Sequence, residues 1–250
     1  MQRDQPPGVP PLELTGERTL PDIPEENYWY RRHLAVYAWI ARRCAGLRVV
    51  DMACGEGYGA ALIAEHASET IGIDANPEAF EHARLRYVRP RLSFARALVE
   101  EFDWGAPYDA IVFLQTVEHV ADPGPLLDRF ASLLVPGGVL YVSTPNRLTL
   151  APAGAERSGN PWHVREYTAR EFWELLEPRF SQIRMLGLFH AGKLHAHALA
   201  LRLGWDRVHR ALGISRRFYD WFVPAIDERD FELRDGPLDA ALDFLAVCRP

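Results

Sequence analysis

Leu47-Arg48-Val49-Val50-Asp51-Met52-Ala53-Cys54-Gly55-Glu56-Gly57-Tyr58-Gly59-Ala60 is the stretch on which the reading of the fold turns. It begins as a short β-branched, apolar run and passes through glycines into Ala60-Ala61-Leu62-Ile63-Ala64-Glu65, a good helix former. Strand, glycine turn and helix are the opening unit of an α/β sheet. The glycines let the backbone approach a ligand closely, and the helix start presents unsatisfied N–H groups. Gly55, Gly57 and Ala60 fit the Gly-x-Gly-x-x-Gly/Ala dinucleotide pattern, which alone is a weak signal. Asp51 points elsewhere. A carboxylate at the strand end repels a pyrophosphate but suits a ligand carrying positive charge. Asp74 closes the next strand, Thr70-Ile71-Gly72-Ile73-Asp74, where a ribose would present two hydroxyls. Each hydrogen bond to such a charged acceptor contributes about 1.5–3 kcal/mol.

Composition sets broad limits. The 250 residues suit one large domain, or one domain with a sizeable insert. Hydrophobic and charged fractions of 48% and 25% are those of an ordinary soluble globule. A net charge of −6 gives no general affinity for nucleic acid, and no nucleic-acid partner is expected. Cys44, Cys54 and Cys248 lack metal spacing and read as free thiols of a reducing compartment. No apolar run approaches the roughly 20 residues of a membrane span. The N-terminus is proline-rich rather than an apolar signal segment, so a cytoplasmic location is expected.

Outward from the central stretch, Met1–Pro11 holds four of the 19 prolines and is expected to be disordered or draped. Trp29, Leu34, Val36, Tyr37 and Ile40 recur at near-helical spacing and predict a helix from about Glu25 to Cys44. Asn76-Pro77-Glu78 reads as N-cap, N1 and first-turn acid of a helix reaching about Val88. Leu92–Ala95 is a weak third strand, and Tyr108–Leu114 a buried fourth. Asp122-Pro123 predicts the cap of a helix ending at Pro136-Gly137-Gly138, before a fifth strand, Val139–Thr144. The loop Arg147–Tyr167 exceeds the usual two to six residues, and long loops in compact domains tend to be functional. Thr168-Ala169-Arg170-Glu171 is a capping box opening a helix to about Glu177. Ile183–His190 and Asp243–Cys248 are the last two strands. Between them, Ala191–Ala225 reads as helical and carries Lys193, Arg202, Arg207, Arg210, Arg216 and Arg217 against Asp206 and Asp220. Interleaved aromatics make it a candidate substrate lid, or else a helical pair packed on the sheet edge.

The Asp51–Gly57 turn resembles the first motif of class I S-adenosylmethionine-dependent methyltransferases, and Ile71–Asn76 their acidic second motif. The resemblance implies a three-layer, Rossmann-like α/β sandwich with a seven-stranded sheet, order 3-2-1-4-5-7-6. Its last strand is antiparallel, and here a helical insert precedes that strand. The implied division is an extended arm over 1–24, a cofactor-binding core over 25–190, the insert over 191–240 and the final core strand over 241–250. S-adenosylmethionine would meet Asp51, Ala53, Gly55, Gly57 and Tyr58, then Asp74, Ala75 and Gln115. Arg32 or His33 would reach its methionine carboxylate. The family usually places an acid or amide near position 98 for the adenine. With Leu98 there, adenine would be held by apolar and backbone contacts around Ala97, Leu98 and Val99.

Gln115-Thr116-Val117-Glu118-His119 follows the fourth strand beside the glycine turn. In-line methyl transfer needs the acceptor held close, and a hydroxyl acceptor must lose its proton. His119, with a histidine's ordinary pKa of about 6.5, is the candidate base, and Glu118 would orient it or bind the acceptor. A structural role for His119 is the plainer alternative. Some ubiquinone-pathway and small-RNA ribose methyltransferases bind a divalent ion through Glu-x-x-Glu-His, the RNA enzymes with a distant histidine. This chain resembles them at Glu118, His119 and His163 but carries Gln115 at the first glutamate. Hard ions favour charged oxygen ligands, so a divalent ion at these residues is the less favoured reading and His163 is read as a substrate contact or loop anchor. Stretches 14–19, 26–33, 143–146, 187–190 and 243–250 resemble actinobacterial O-methyltransferases linked to methylglucose lipopolysaccharide synthesis. That likeness implies a sugar hydroxyl acceptor on a glucoside or a polysaccharide precursor, the substrate being a small molecule or oligosaccharide, with Trp162 and the insert's aromatics suited to stacking on sugar rings. A small-molecule O- or N-methyltransferase of secondary metabolism, and a catalytically silent cofactor-binding protein, are the alternatives. Oligomeric state stays open.

Overall fold

The computed structural model describes residues 6–16, 18–102, 107–152, 155 and 157–250. The expected disorder over Met1–Gln5, and Glu17 of the 14–19 stretch, lie outside the described residues. Helix α1 (Asn27–Ala41) precedes strand β1 (Arg48–Met52), α2 (Tyr58–Ile63), β2 (Glu69–Asp74), α3 (Pro77–Arg86) and β3 (Leu92–Arg96). Next come β4 (Tyr108–Leu114), α4 (Pro123–Ser132), β5 (Leu134–Pro145), α5 (Arg147–Leu150), α6 (Ala169–Leu176) and β6 (Gln182–His190). The chain ends with α7 (Gly192–Arg202), α8 (Trp205–Ala211), α9 (Ser215–Phe222), β7 (Phe231–Arg234) and β8 (Asp243–Arg249). Among the described residues the strands form one eight-stranded sheet, β3-β2-β1-β4-β5-β8-β6-β7. The first five are parallel, and β8 runs antiparallel to both β5 and β6.

Side chains alternate across a strand, and this sorts the core into two layers. Val50, Met52, Ile111 and Phe113 face Leu127, Phe130 and Phe172 on α4 and α6. Val49, Ala110, Val112 and Leu114 face Val36, Tyr37 and Ile40 of α1, together with Leu194, Phe222 and Ile226. Central strands buried on both faces read as continuous apolar runs, as Ala110–Leu114 does. Helix starts carry their predicted chemistry. Asn76 Oδ1 accepts from the N–H groups of Glu78 and Ala79 at 3.0 and 2.9 Å, and Thr168 and Glu171 complete a capping box. Such caps contribute about 1 kcal/mol each.

Three expectations are corrected. The sheet has eight strands, because Phe231-Glu232-Leu233-Arg234 adds an edge strand beyond β6. Its alternation turns Phe231 inward. The α-helices of the 191–240 segment lie between Gly192 and Phe222; beyond them come only short 3-10 turns, Glu228–Asp230 and Leu238–Ala240, on either side of this strand. Helix α4 stops at Ser132, and Pro136-Gly137-Gly138 lies within β5; Asp122 makes no side-chain cap bond. The N-terminal arm is anchored over its described residues: Leu12, Leu20 and Ile23 form a small buried cluster, and His82 Nδ1 donates to Pro10 O at 2.7 Å. Among the described residues no helix is long and apolar enough to cross a membrane.

Candidate active site

β1 is flanked by β2 and β4, so the winding of the sheet reverses beside it. In open α/β sheets ligands settle outside the carboxyl ends of the strands at such a switch point. A cavity of about 500 Å³ lies there, lined from the ends of β1, β2, β4 and β5, from α1 and from the arm residues Arg18 and Thr19. Of the residues singled out in the sequence, Ala53, Gly55, Tyr58, Asp74, Ala75, Leu98, Val99, Gln115 and His119 line it. Arg32, Asp51, Gly57, Ala97, Glu118 and His163 do not.

Each displaced residue has a physical reason. Arg32 is buried and gives a bidentate ion pair to Asp243, at 2.5 and 2.7 Å, plus a bond to Leu242 O at 2.8 Å. It fastens α1 to the start of β8 and leaves Arg18 and His33 as the cavity's nearest candidates for an anionic group. His33 Nδ1 meets Thr19 Oγ1 at 3.2 Å, and burial pushes the ring down to about 4, so it is neutral. Gly57 serves packing, since its φ is +94° and a Cβ there would lie 2.8 Å from Ala83 Cβ. Gly59, not singled out in the sequence, has a similar duty: a Cβ would lie 2.2 Å from the Tyr37 ring. Ala97 packs against the α4-side core.

Asp51 sits beneath the cavity. Tyr37 lines the wall and donates to Asp51 Oδ1 at 3.2 Å, while Oδ2 is buried without a hydrogen-bond partner among the described residues. Burial pushes the carboxyl up to about 8, against the Tyr37 hydrogen bond and with a further push from Asp74. Asp74 accepts from Gly55 N–H at 2.8 Å through Oδ2 and from Asn76 N–H at 2.9 Å through Oδ1. These bonds hold its carboxylate at the cavity edge. A Cβ on Gly55 would meet nothing within 4 Å, so the wall there is bare backbone. Ala53 and Gln115 both line the cavity with positive φ, 59° and 50°. Left-handed backbone at non-glycine residues costs on the order of 1–3 kcal/mol and concentrates at ligand sites. Glu100 also lines the cavity, two residues beyond the place where an acid was sought in the sequence.

His119, in the segment after β4, also lines the cavity. Its Nδ1 lies 2.8 Å from Trp162 O. A nitrogen facing a carbonyl must carry the hydrogen, so in the neutral ring the lone pair is on Nε2. The 147–167 loop brings His163 alongside, with ring centroids 5.2 Å apart. His163 donates from Nδ1 to Glu166 at 2.8 Å and accepts from Asn160 Nδ2 at Nε2, 3.1 Å away. Glu118 is buried behind, accepts from Thr144 Oγ1 at 3.1 Å, and is pushed by burial up to about 8. Its backbone carbonyl accepts from Val164 N and Arg165 N, so the loop is strapped to the residue that precedes His119. One ligand atom each from Glu118, His119 and His163 lies within 4.8 Å of the others.

A Rossmann-like sheet with an acidic residue ending each of its first two strands around a glycine turn defines the class I S-adenosylmethionine-dependent methyltransferases. Residues 27–186 match the family model described as a methyltransferase domain, and the chain belongs to that family. It is 44% identical over 247 residues to a "Probable S-adenosylmethionine-dependent methyltransferase" of Mycolicibacterium smegmatis, covering 94% of each chain. A ubiquinone biosynthesis O-methyltransferase of Xylella fastidiosa is 37% identical over 120 residues, 45% of this chain and 49% of that one. Among solved structures, a methyltransferase of Thermotoga maritima described as a "possible histamine N-methyltransferase" superposes with a TM-score of 0.57 at 15% identity, over 90% of this chain and 94% of that chain. The protein is an S-adenosylmethionine-dependent methyltransferase.

Proposed function

We propose that the acceptor is a hydroxyl, on a sugar or polysaccharide precursor, and that His119 removes its proton. The single observation that carries the base assignment is His119 in the cavity wall with Nδ1 committed to Trp162 O. The partial match to ubiquinone O-methyltransferases supports oxygen as the acceptor atom. Trp162, 46% exposed beside His119, offers a ring face of the kind sugars stack on.

The buried, unpartnered Asp51 Oδ2, the bare wall at Gly55 and the left-handed Ala53 and Gln115 fit S-adenosylmethionine. Asp74 would accept the ribose hydroxyls, Leu98 and Val99 would cover the adenine with Glu100 nearby, and Asp51, through the wall formed by Tyr37, would answer the ammonium. Arg18 replaces Arg32 as the group for the carboxylate. When bound, the cofactor supplies an electrophilic methyl group on a sulfonium. His119 Nε2 takes the acceptor's hydroxyl proton, and the Trp162 carbonyl steadies the imidazolium through Nδ1–H. Glu118 and the 163–165 strap keep the histidine backbone in place.

One observation favours a second reading, a divalent ion held by Glu118, His119 and His163. Both histidines present Nδ1 to an oxygen acceptor, Trp162 O or Glu166, which is the outer-shell pattern of ligating imidazoles. Against it, His163 Nε2 already accepts from Asn160, and Gln115 is not a carboxylate. The two readings separate by experiment, using labelled S-adenosylmethionine, a panel of glucosides and flat aromatic acceptors, and product mass. For a base, His119→Ala lowers turnover by about 10²–10⁴-fold, cofactor affinity holds, and a chelator changes nothing. Chelator-silenced activity restored by magnesium or manganese establishes the ion instead. Turnover of aromatic acceptors alone removes the sugar, and no turnover with any acceptor removes the enzyme reading of the hydroxyl site.

A further inference from the structure

The insert does not line the cavity: among the described lining residues none falls in 191–240. Its inner face is spent on packing. Leu194, Phe222 and Ile226 join the α1-side core, and Asn27 Nδ2 donates to Val223 O and Ile226 O at 2.9 and 2.8 Å. Its aromatics stack mainly on one another, Phe218 on Phe222 and His209 on Phe218, at interplanar angles of 15° and 13°. They are therefore not a platform for a sugar ring.

The outer face is different. Leu203 is 82% exposed, Trp221 68%, Leu212 64% and Leu199 52%, with Val208 also exposed. These are five of the fourteen large hydrophobics exposed among the described residues, gathered between positions 199 and 221. Scattered exposed apolar residues are ordinary, whereas a gathered set marks an interaction surface. Leu199 and Leu203, and Val208 and Leu212, are spaced i,i+4, Leu203 and Leu212 being the residues that cap α7 and α8, so each pair falls on one side of its helix end.

Charge selects the partner. Residues 192–222 carry six basic and two acidic side chains, a net +4, in a chain of net −6, which leaves −10 elsewhere. Lys193 pairs with Asp230, Arg210 with Asp206 and Arg216 with Asp220. Among the described residues Arg202 and Arg217 make no ion pair, and Arg207 shares the Asp206 carboxylate with Arg210. Exposed Leu and Trp beside arginines in excess of the nearby acids match a surface that is anionic outside and apolar just beneath. Screening over roughly 10 Å at 0.1 M salt lets that surface read the insert's charge rather than the whole molecule's. We propose that the α7–α9 insert docks this methyltransferase onto an anionic lipid surface, with Leu199, Leu203, Val208, Leu212 and Trp221 entering the headgroup boundary and Arg202, Arg207 and Arg217 meeting phosphates.

The test is cosedimentation of the full chain with vesicles of phosphatidylcholine alone and of phosphatidylcholine with one-third phosphatidylglycerol. Binding is expected only to the anionic vesicles, and 0.5 M salt should release it. Each arginine removed should cost about fivefold in partitioning, so Arg202→Gln, Arg207→Gln and Arg217→Gln combined should abolish pelleting. Trp221→Ala should weaken it, and S-adenosylhomocysteine affinity, measured by calorimetry, should stay unchanged in every variant and report that the fold is intact. No binding to anionic vesicles, or equal binding to neutral ones, overturns the proposal. So does a self-associated species in sedimentation velocity that Trp221→Ala disperses, because then a second copy covers the face.

Discussion

Asp51 is the residue whose chemistry is most exposed to test. Its carboxyl, raised to about 8 by burial, is largely protonated at neutral pH in the cofactor-free protein. An acid with a raised native pKa contributes stability that is full below its unfolded value of about 3.9 and is lost as pH rises through the native one. The melting temperature of the cofactor-free protein should therefore fall between pH 5 and pH 8, and Asp51→Asn should flatten that fall. A cationic ligand group favours the carboxylate, so S-adenosylmethionine affinity should rise from pH 6 to pH 8 in wild type and not in Asp51→Asn. A flat wild-type affinity profile would show that Asp51 does not answer the ammonium. If Asp74 accepts the two ribose hydroxyls as proposed, Asp74→Ala should weaken cofactor binding by at least ~10²-fold, from about 1.5–3 kcal/mol per charged hydrogen bond. NAD binding more tightly than S-adenosylhomocysteine would reverse that reading.

At the scale of elements, α1 does two jobs on residues about one turn apart. Val36 and Tyr37 face the sheet and the cavity, while Arg32, one turn earlier, pairs with Asp243 at the start of β8. Removing one partner of a buried ion pair strands the other and costs about 3–5 kcal/mol. Arg32→Met should therefore lower the melting temperature by roughly 10 °C, at about 2–4 °C per kcal/mol for a chain of this size. S-adenosylhomocysteine affinity below the transition should be little changed. A large loss of affinity without loss of stability would return Arg32 to the cofactor carboxylate, where the sequence reading had it.

At the scale of the molecule, the cavity joins parts distant in sequence: the arm, α1, the ends of four strands and the loop after β4. A ligand bound there ties these parts together. At a hundredfold excess over its Kd, S-adenosylhomocysteine should raise stability by about 2.7 kcal/mol, or roughly 5–10 °C in the melting temperature. Limited proteolysis within the arm should slow in parallel, since Arg18 and Thr19 are part of the wall. A melting shift without arm protection would show that the arm is not part of the bound site.

Local chemistry made most of this chain legible before any tertiary contact. β-Branched runs, glycine turns, Asn76 and the Thr168–Glu171 box act within a few residues, and their elements stand where the pattern placed them. The same locality put Asp74 at the end of β2, and Gly55 and His119 in the turns just beyond β1 and β4, hence at the cavity, because the carboxyl edge of a parallel sheet is where its ligands bind. What only the tertiary structure decided depends on partners far along the chain. Arg32 turned to Asp243 because a buried guanidinium needs a carboxylate more than it needs an open cavity. Gly57 and Gly59 were claimed by Ala83 and Tyr37, whose approach leaves no room for a Cβ. Phe231–Arg234 became an eighth strand because β6 offered an unpaired edge. The insert's placement away from the cavity was invisible for the same reason: its composition tells what it can touch, and only its packing on α1 and the sheet edge sets what it faces.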